Sequence, residues 1–445
     1  MISFFTSLNN LVWGPPLLIL LVGTGVYLTL RLKLLQVFKL PKAFRLIFTE
    51  DKGEGDISSF AALATALAAT VGTGNIVGVA TAIKTGGPGA LFWMWVAAFF
   101  GTATKYAEGF LAIKYRTKDA NGDISGGPMY YIINGMGKKW SFLAIFFAIS
   151  GVLVAWFGIG TFAQVNSITA SLEHSFGLSP KIVSIIIALI AATIIFGGIQ
   201  SISKISEKLV PFMAGLYILF ASIIILANIS ELPKTLSLVF VSAFSPTAAV
   251  GGFTGAVVRD AIQKGIARGV FSNESGLGSA PIAAAAAKTD QPVEQGLISM
   301  TGTFIDTIII CSLTGLAILI TGQWTSSLEG APLTQAAFAT SFGDLGSHAL
   351  TLSLVLFAFT TILGWSYYGE RCFEFLFGVR FLSAYRLIFV AMVGLGGFLS
   401  LDLIWIIADI VNGLMAIPNL IALLALSPII VSETNRYLSS KAKSK

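Results

Sequence analysis

Charge is what this chain has least of. Only 11% of its 445 residues are Asp, Glu, Lys or Arg, while 55% are hydrophobic. Soluble domains carry about 25% charged residues. A chain with less than half that share and a mean hydropathy of +0.84 meets hydrocarbon over most of its surface, so a polytopic, all-α membrane protein is expected. The polar stretches between apolar runs are too short to form a soluble domain. Cysteine is nearly absent: Cys311 lies within one apolar span and Cys372 at the end of another, which leaves no disulfide framework and no paired-thiol metal site. The only two histidines, His174 and His348, lie away from the glycine-rich stretches described below. No HExxH, GxSxG or paired-Cys motif accompanies them, so neither enzyme chemistry nor a cofactor is expected. The N-terminus lacks a basic region followed by a small-residue cleavage site, so no cleaved signal is expected.

What is present is a series of apolar windows of about twenty residues, the length that spans a bilayer. They fall near 10–31, 57–84, 88–114, 141–170, 179–198, 206–229, 250–286, 295–321, 347–370, 381–399 and 402–433, giving about eleven transmembrane helices. The net charge of +6 is not a nucleic-acid signal, because the basic residues concentrate in particular loops, where they set topology. Arg31, Lys33, Lys39, Lys42, Arg45 and Lys52 follow the first span, and Lys114, Arg116, Lys118, Lys138 and Lys139 the third. Lys204, Lys208, Lys288, Arg371, Arg380, Arg386, Arg436, Lys441, Lys443 and Lys445 fall on the same side. The other side has Lys84, Lys181, Lys234 and the cluster Arg259, Lys264 and Arg268. The bias predicts an N-terminus outside the cell membrane and a C-terminus in the cytoplasm. The cluster fits that bias poorly and reads as a helix leg reaching an aqueous vestibule.

Three stretches do not read as plain spans. Gly126-Gly127-Pro128-Met129-Tyr130-Tyr131 starts a short interfacial segment, residues 322–346 form the longest outer loop with a short helix near 333–341, and 250–286 is too long and too polar for one helix. Within that last span lies Phe271-Ser272-Asn273-Glu274-Ser275-Gly276-Leu277-Gly278-Ser279-Ala280-Pro281. A carboxylate at that depth is functional by default, and two glycines and a proline predict a helix break. The alternative is an extramembrane loop, against which stand the helix-like legs 254–270 and 277–287.

The second span holds a matching feature, Thr70-Val71-Gly72-Thr73-Gly74-Asn75-Ile76-Val77-Gly78. Three glycines, two hydroxyls and an amide in an apolar segment predict that the helix opens here. Opened backbone at membrane depth is tolerated only where it lines a cavity or binds a ligand. The alternative is a small-residue helix-packing face. Two such breaks are the pairing found in transporters built from inverted repeats. Residues 57–229 then form a first five-helix repeat and 230–435 a second. Residues 1–56 supply one extra N-terminal helix and a loop, and 436–445 a cytoplasmic tail.

The break residues suit an amino acid and Na⁺. Thr73, Gly74 and Asn75 can turn N–H groups toward a substrate carboxylate at a half-helix N-terminus. A hard cation takes oxygens, available from the backbone at Ala68 and Val71 and from the Asn75 amide. Thr360 and Thr361 add adjacent hydroxyls in the ninth span, or else bond back to their own helix. Asp306, between Thr303 and Thr307 in the eighth span, either charges a cation site or pairs with a buried donor. Gln164 and Asn166 are polar tips in the fourth span. Trp365, one turn beyond Thr361, either narrows a cavity or faces lipid.

These residues resemble the sodium:alanine symporter (alanine or glycine:cation symporter) family. The resemblance lies in TVGTGNIVGVA (70–80), GGPGALFWMW (86–95), ATKYAEGFLAIKYR (103–116), GGPMYY (126–131), GVFSNESGLGSAPIAAAAAK (269–288) and GTFIDTIIICSLTGL (302–316). It implies a leucine-transporter-like fold with five-plus-five inverted repeats, and Na⁺-coupled symport of alanine or glycine across the plasma membrane; the expected partners are alanine or glycine, Na⁺ and membrane lipid, and a monomer is expected. By that resemblance Gly72, Thr73, Gly74 and Asn75 bind substrate, with Asn75 also touching Na⁺. Phe271, Ser272, Glu274 and Gly276 line the second break, and Gln164, Thr361 and Trp365 complete the pocket. Backbone at Ala68 and Val71 with the hydroxyls of Thr360 and Thr361 forms a sodium site. Glu274 and Asp306 depart from the neutral residues of distant superfamily members, which leaves the charge balance of the other sodium position open. Coupling to H⁺ through Glu274 or Asp306, or a channel, are the competing readings.

Overall fold

The computed structural model describes residues 2–49, 53–244, 258–398 and 402–443. Lys52, the start of the expected 250–286 span and the first residues of its 254–270 leg lie outside the described residues. The described chain is helical throughout, apart from the short antiparallel pair Thr117–Lys118 with Ile124–Ser125 and one isolated bridge, Ile57 to Ala287. Seven described helices are long and apolar enough to cross a membrane, or eight if a bent pair counts as one span. Against the eleven expected, Pro180–Ile195 is apolar but shorter, and the 26-residue helix Gly89–Lys114 carries Lys105 and Glu108 in its second half.

Helix ends follow local chemistry. Ser58 caps Ser59–Thr70 by accepting the Ala61 N–H, the usual service of a serine at that position. The span expected over 141–170 is found as one apolar span, Lys138–Phe176, with a turn at Gly158 to Thr161 between Ser141–Phe157 and Phe162–Phe176. Gly158 and Gly160 are the local signal for this turn. The loop over 322–346 carries its short helix at Gly330–Phe342, longer than the expected 333–341. Ile2–Val12 and Leu232–Phe244 are further helices that periodicity did not mark.

Gly89–Lys114 is the axis of the bundle, packed between Val258–Asn273 and Pro292–Thr303. Small residues let these backbones approach, which in lipid replaces the missing hydrophobic drive between helices. A Cβ on Gly296 would lie 2.8 Å from the Tyr106 carbonyl oxygen, and one on Gly265 would lie 2.5 Å from that of Ala90.

One end of the bundle is closed by backbone. Asp56 and Ile57 donate N–H to the Ala286 carbonyl at 2.9 and 3.2 Å, and Lys288 returns one to Ile57 at 2.8 Å. Arg116, just past its helix, donates to the carbonyls of Glu54, Ala285, Ala287 and Thr289 at 2.7–2.9 Å. The entry to the first broken span and the exit of the second are thereby one unit. The short hairpin beside it is pinned to the long helix Asp344–Phe377 by Arg371 on Asp119 (3.2 Å) and by Ser125 on Glu374 (2.6 Å). A hydrogen bond from a charged donor contributes about 1.5–3 kcal/mol, so Arg116→Met should clearly lower the thermal midpoint of the detergent-solubilised protein. Arg116→Lys should recover only part of it, because an ammonium offers three donors and no fork. An unchanged midpoint in Arg116→Met would show that this closure is not held by the guanidinium.

Candidate functional site

The first break begins where Ser59–Thr70 ends. Val71 is extended (φ −75°, ψ 90°), and the chain resumes as a π-helical turn over Gly74–Gly78, the two legs meeting at 51°. Asn75 folds back onto the opening. Its Oδ1 accepts the Gly72 N–H at 2.8 Å, and its Nδ2 donates to Asp306 Oδ1 at 2.7 Å and to the Asp306 carbonyl at 3.2 Å. Gln164 reaches in from Phe162–Phe176 and accepts the Thr73 N–H at 3.4 Å, while the buried Thr73 hydroxyl has no protein partner. Gly72 must be glycine, since a Cβ there would sit 2.4 Å from Thr361 Oγ1.

The second break follows Asn273. Glu274 (φ +54°), Gly276 (+89°) and Gly278 (+83°) are left-handed, and the helix restarts at Ala280–Ala285. For Glu274 that conformation is costly, of order 1–3 kcal/mol, and its side chain shows what compensates. Oε1 accepts the Trp365 indole N–H at 3.0 Å and Oε2 accepts the Ser279 hydroxyl. Residues 271–281 are all buried within the protein. Trp365 is also fully buried and aims at Glu274, not at lipid.

The two breaks meet at Asp306. It lies in a π-helical stretch, Phe304–Cys311, that interrupts the helix from Pro292. While Oδ1 takes the Asn75 amide, Oδ2 takes the hydroxyls of Ser272 (2.9 Å) and Thr307 (2.8 Å). A Cβ on Gly74 would lie 3.0 Å from Ser272 Cα, so the breaks touch. Cys311 closes the group, 3.4 Å from Asn75 Nδ2 and 3.2 Å from Ser272 Oγ. An acidic carboxylate, hydroxyls and an amide oxygen form a donor set for a hard cation. No group of three or more His, Cys, Asp or Glu side chains is gathered to hold a metal among the described residues.

The remaining expected residues are placed less centrally. Ala68 and Val71 are fully buried. Thr360 and Thr361 both donate back to the Phe357 carbonyl, at 2.9 and 3.0 Å. Phe271 lies under the Arg268 guanidinium (5.2 Å), which pairs with Asp409 at 3.0 Å, so one member of the awkward basic cluster is neutralised within the bundle. Gly276 faces away from Asp306: its N–H goes to Glu108 and its carbonyl to Asn419. The half-buried Asn166 makes no side-chain bond to either break. Three residues of the second break's support were not anticipated. Lys105 donates to the Asn273 carbonyl at 2.9 Å, Glu108 accepts the Gly276 and Gly278 N–H groups, both at 3.1 Å, and Asn419 donates to Glu108 at 2.7 Å. Their signal was legible: Lys105 and Glu108 are ionisable residues in the middle of a span.

Two opened helices gathered round buried carboxylates in a membrane bundle define a transporter, not an enzyme. The chain belongs to the sodium:alanine symporter family, whose model matches residues 1–445. It is 51% identical to the Methanococcus maripaludis sodium/alanine symporter AgcS, over 98% of this chain and 97% of that one. An uncharacterized Haemophilus influenzae transporter is 57% identical over 98% and 96%, and the probable sodium/glutamine symporter GlnT of Bacillus subtilis 40% over 98% and 91%. Among solved structures, an Eremococcus coleocola manganese transporter superimposes with a TM-score of 0.53 at 14% identity, covering 86% of this chain and 81% of that one. A Na⁺-coupled sialic acid symporter in an outward-open state gives 0.53 at 14%, over 92% and 82%. At such identity these likenesses show the fold alone.

Among the described residues, Asn75 is the one side chain that bonds both its own opened backbone and Asp306. Asn75→Ala strands the Gly72 N–H and one carboxylate oxygen, each worth about 1–3 kcal/mol when left unpaired. The variant should stay folded with a lowered thermal midpoint and should lose cation-dependent thermal stabilisation. A wild-type midpoint with intact cation response would remove Asn75 from the site.

Proposed function

We propose that this protein couples the inward movement of Na⁺ to uptake of small neutral amino acids, alanine and glycine, by alternating access. The observation that carries the reading is Asp306, a buried carboxylate that accepts donors from both broken helices at once. A cation placed on it ties the two breaks together, and its departure loosens both, which is what coupling requires. Substrate carboxylate would sit at Gly72–Asn75. The Gly72 and Thr73 N–H groups are held there by neutral amide oxygens of Asn75 and Gln164, and a carboxylate is the stronger acceptor.

A second Na⁺ would lie between the carbonyls of Ala68 and Val71 and the hydroxyls of Thr360 and Thr361. Donation of both hydroxyls to the Phe357 carbonyl leaves their lone pairs free for a cation. Five-plus-five inverted repeats after one extra N-terminal helix, with the N-terminus outside and the C-terminus cytoplasmic, complete the reading. It puts the Arg116 closure on the cytoplasmic side of the plasma membrane and the Arg268–Asp409 pair on the outer side. The chain is read as a monomer in lipid. Two relatives support the coupling ion and the class of substrate by name: one a sodium/alanine symporter, the other a probable sodium/glutamine symporter.

The test is uptake of labelled alanine into proteoliposomes with and without an inward Na⁺ gradient at fixed pH, with glycine and leucine as competitors. Na⁺-driven, saturable accumulation that glycine competes is expected. Uptake that follows a proton gradient alone would move the coupling to H⁺, and non-saturable flux would indicate a channel. Asp306→Asn should raise the Na⁺ concentration for half-maximal uptake at least tenfold. The Thr360→Val, Thr361→Val double variant should raise it severalfold, since valine keeps the volume and loses the oxygens. An unchanged Na⁺ response in either variant removes those residues from cation binding.

Size selection rests on walls, because a pocket discriminates one methylene by only about 1–3 kcal/mol. Trp365 is the bulkiest fully buried side chain against the second break. Trp365→Ala should weaken alanine and admit leucine as a competitor. Continued exclusion of leucine with unaltered alanine affinity would show that the wall lies elsewhere.

A further inference from the structure

Three carboxyl side chains and one amine are sealed around the two breaks, none more than 3% exposed: Glu108, Glu274, Asp306 and Lys105. The three acids differ in how their donors are distributed. Glu274 accepts one donor on each oxygen, and Asp306 accepts on both. Glu108 does not share. Its Oε1 takes the Gly276 N–H (3.1 Å), the Gly278 N–H (3.1 Å) and the Asn419 amide (2.7 Å), while Oε2, equally buried, has no protein partner.

An ionised carboxylate carries equal charge on its two oxygens and recruits donors to both. A neutral carboxylic acid has one strong acceptor, the carbonyl oxygen, and one weak acceptor, the hydroxyl. The crowded Oε1 and donor-free Oε2 of Glu108 match the second pattern. Solvation points the same way, since a buried acid lacking a full set of donors neutralises itself before it pays the cost of an interior charge. Precedent for a carboxyl kept neutral at pH 7 in an apolar site comes from enzyme active sites.

We propose that Glu108 is a proton-binding site, occupied in this conformation, with its proton on Oε2. The surrounding charged and titratable groups are few. Lys105 precedes it by one turn on the same helix and is committed to the Asn273 carbonyl. Glu274 lies on the second break. Tyr131 lies on the segment Pro128–Tyr131, where its hydroxyl bonds Asn419, and Tyr368 lies on Asp344–Phe377. The protonated acid bridges two opened N–H groups and Asn419, which in turn holds the Gly276 carbonyl at 2.9 Å. Glu108 therefore holds the second break through Oε1 and carries the proton on Oε2, the oxygen that the break leaves free. A consequence rests on the Na⁺ reading above: with Glu108 neutral, Lys105 offsets Glu274, and Asp306 is the carboxylate that remains for one Na⁺ to neutralise.

Infrared spectroscopy of the purified full-length protein tests the proton directly and needs no transport. The wild type at neutral pH should show the carbonyl stretch of a protonated carboxylic acid, shifted in D₂O. Glu108→Gln should remove that band, whereas Glu274→Gln and Asp306→Asn should leave it. Asn419→Ala, which strips one donor from Oε1, should move the band to higher frequency, and this arm stands even if Glu108→Gln fails to fold. On raising the pH the thermal midpoint of the wild type should fall as the proton leaves, and Glu108→Gln should be flat over that range. No carboxylic-acid band in the wild type, a band that survives in Glu108→Gln, or one unmoved in Asn419→Ala would overturn the assignment. Failure of Na⁺-driven uptake with the band present would overturn the coupling reading and leave the proton in place.

Discussion

The structure depends on one carboxylate holding two opened helices together. Opening a helix inside a bilayer frees N–H and C=O groups that no solvent meets, each costing several kcal/mol if left alone. Here neither break stands by itself. Asn75 and Ser272 come from different halves of the chain, and both end on Asp306. A π-helical stretch places that carboxylate, and such single-turn irregularities favour functional positions. Remove the side chain and the two openings lose their common acceptor.

Support for the second break is layered behind this contact. Lys105 and Glu108 sit one turn apart on the central helix and take opposite polarities of the same opened backbone, a carbonyl and two N–H groups. Asn419, from the last helix, satisfies both the acid and a carbonyl. The strained left-handed Glu274 is held by the Trp365 indole and the Ser279 hydroxyl. Apart from Glu108 Oε2, these groups are paired with one another, and a paired polar network is rigid, which lets an irregular stretch keep one shape.

Rigidity at the breaks coexists with closures at the two ends of the bundle. At one end Arg116 gathers four carbonyls from the segments flanking both breaks. At the other, Arg268 and Asp409 join the second broken helix to the last helix. Each closure is built from hydrogen bonds and charge on movable arms, in contrast to the glycine-mediated backbone contacts at the axis. Side-chain contacts close the ends, and close backbone contacts at glycines fill the middle.

The sequence alone determined the solvent, the helical class and the location of both breaks. Hydropathy reports burial in lipid without knowledge of neighbours, and glycine, proline and ionisable residues in a span carry a local penalty visible at their own positions. Gln164, Ser272 and Asp306 were legible for the same reason, as polar groups at depth. Alternatives that sequence left open needed partners to resolve. Trp365 has the same hydropathy whether it faces Glu274 or lipid, and Thr360 and Thr361 read alike as ligands or as back-bonded hydroxyls. The turn at Gly158–Thr161 and the Glu108–Asn419 link also escaped, the latter because its members are 311 residues apart. Only tertiary structure decides such pairings, since a side chain's chemistry is set by its own atoms and its role by whichever donor or acceptor packing brings within 3 Å or so.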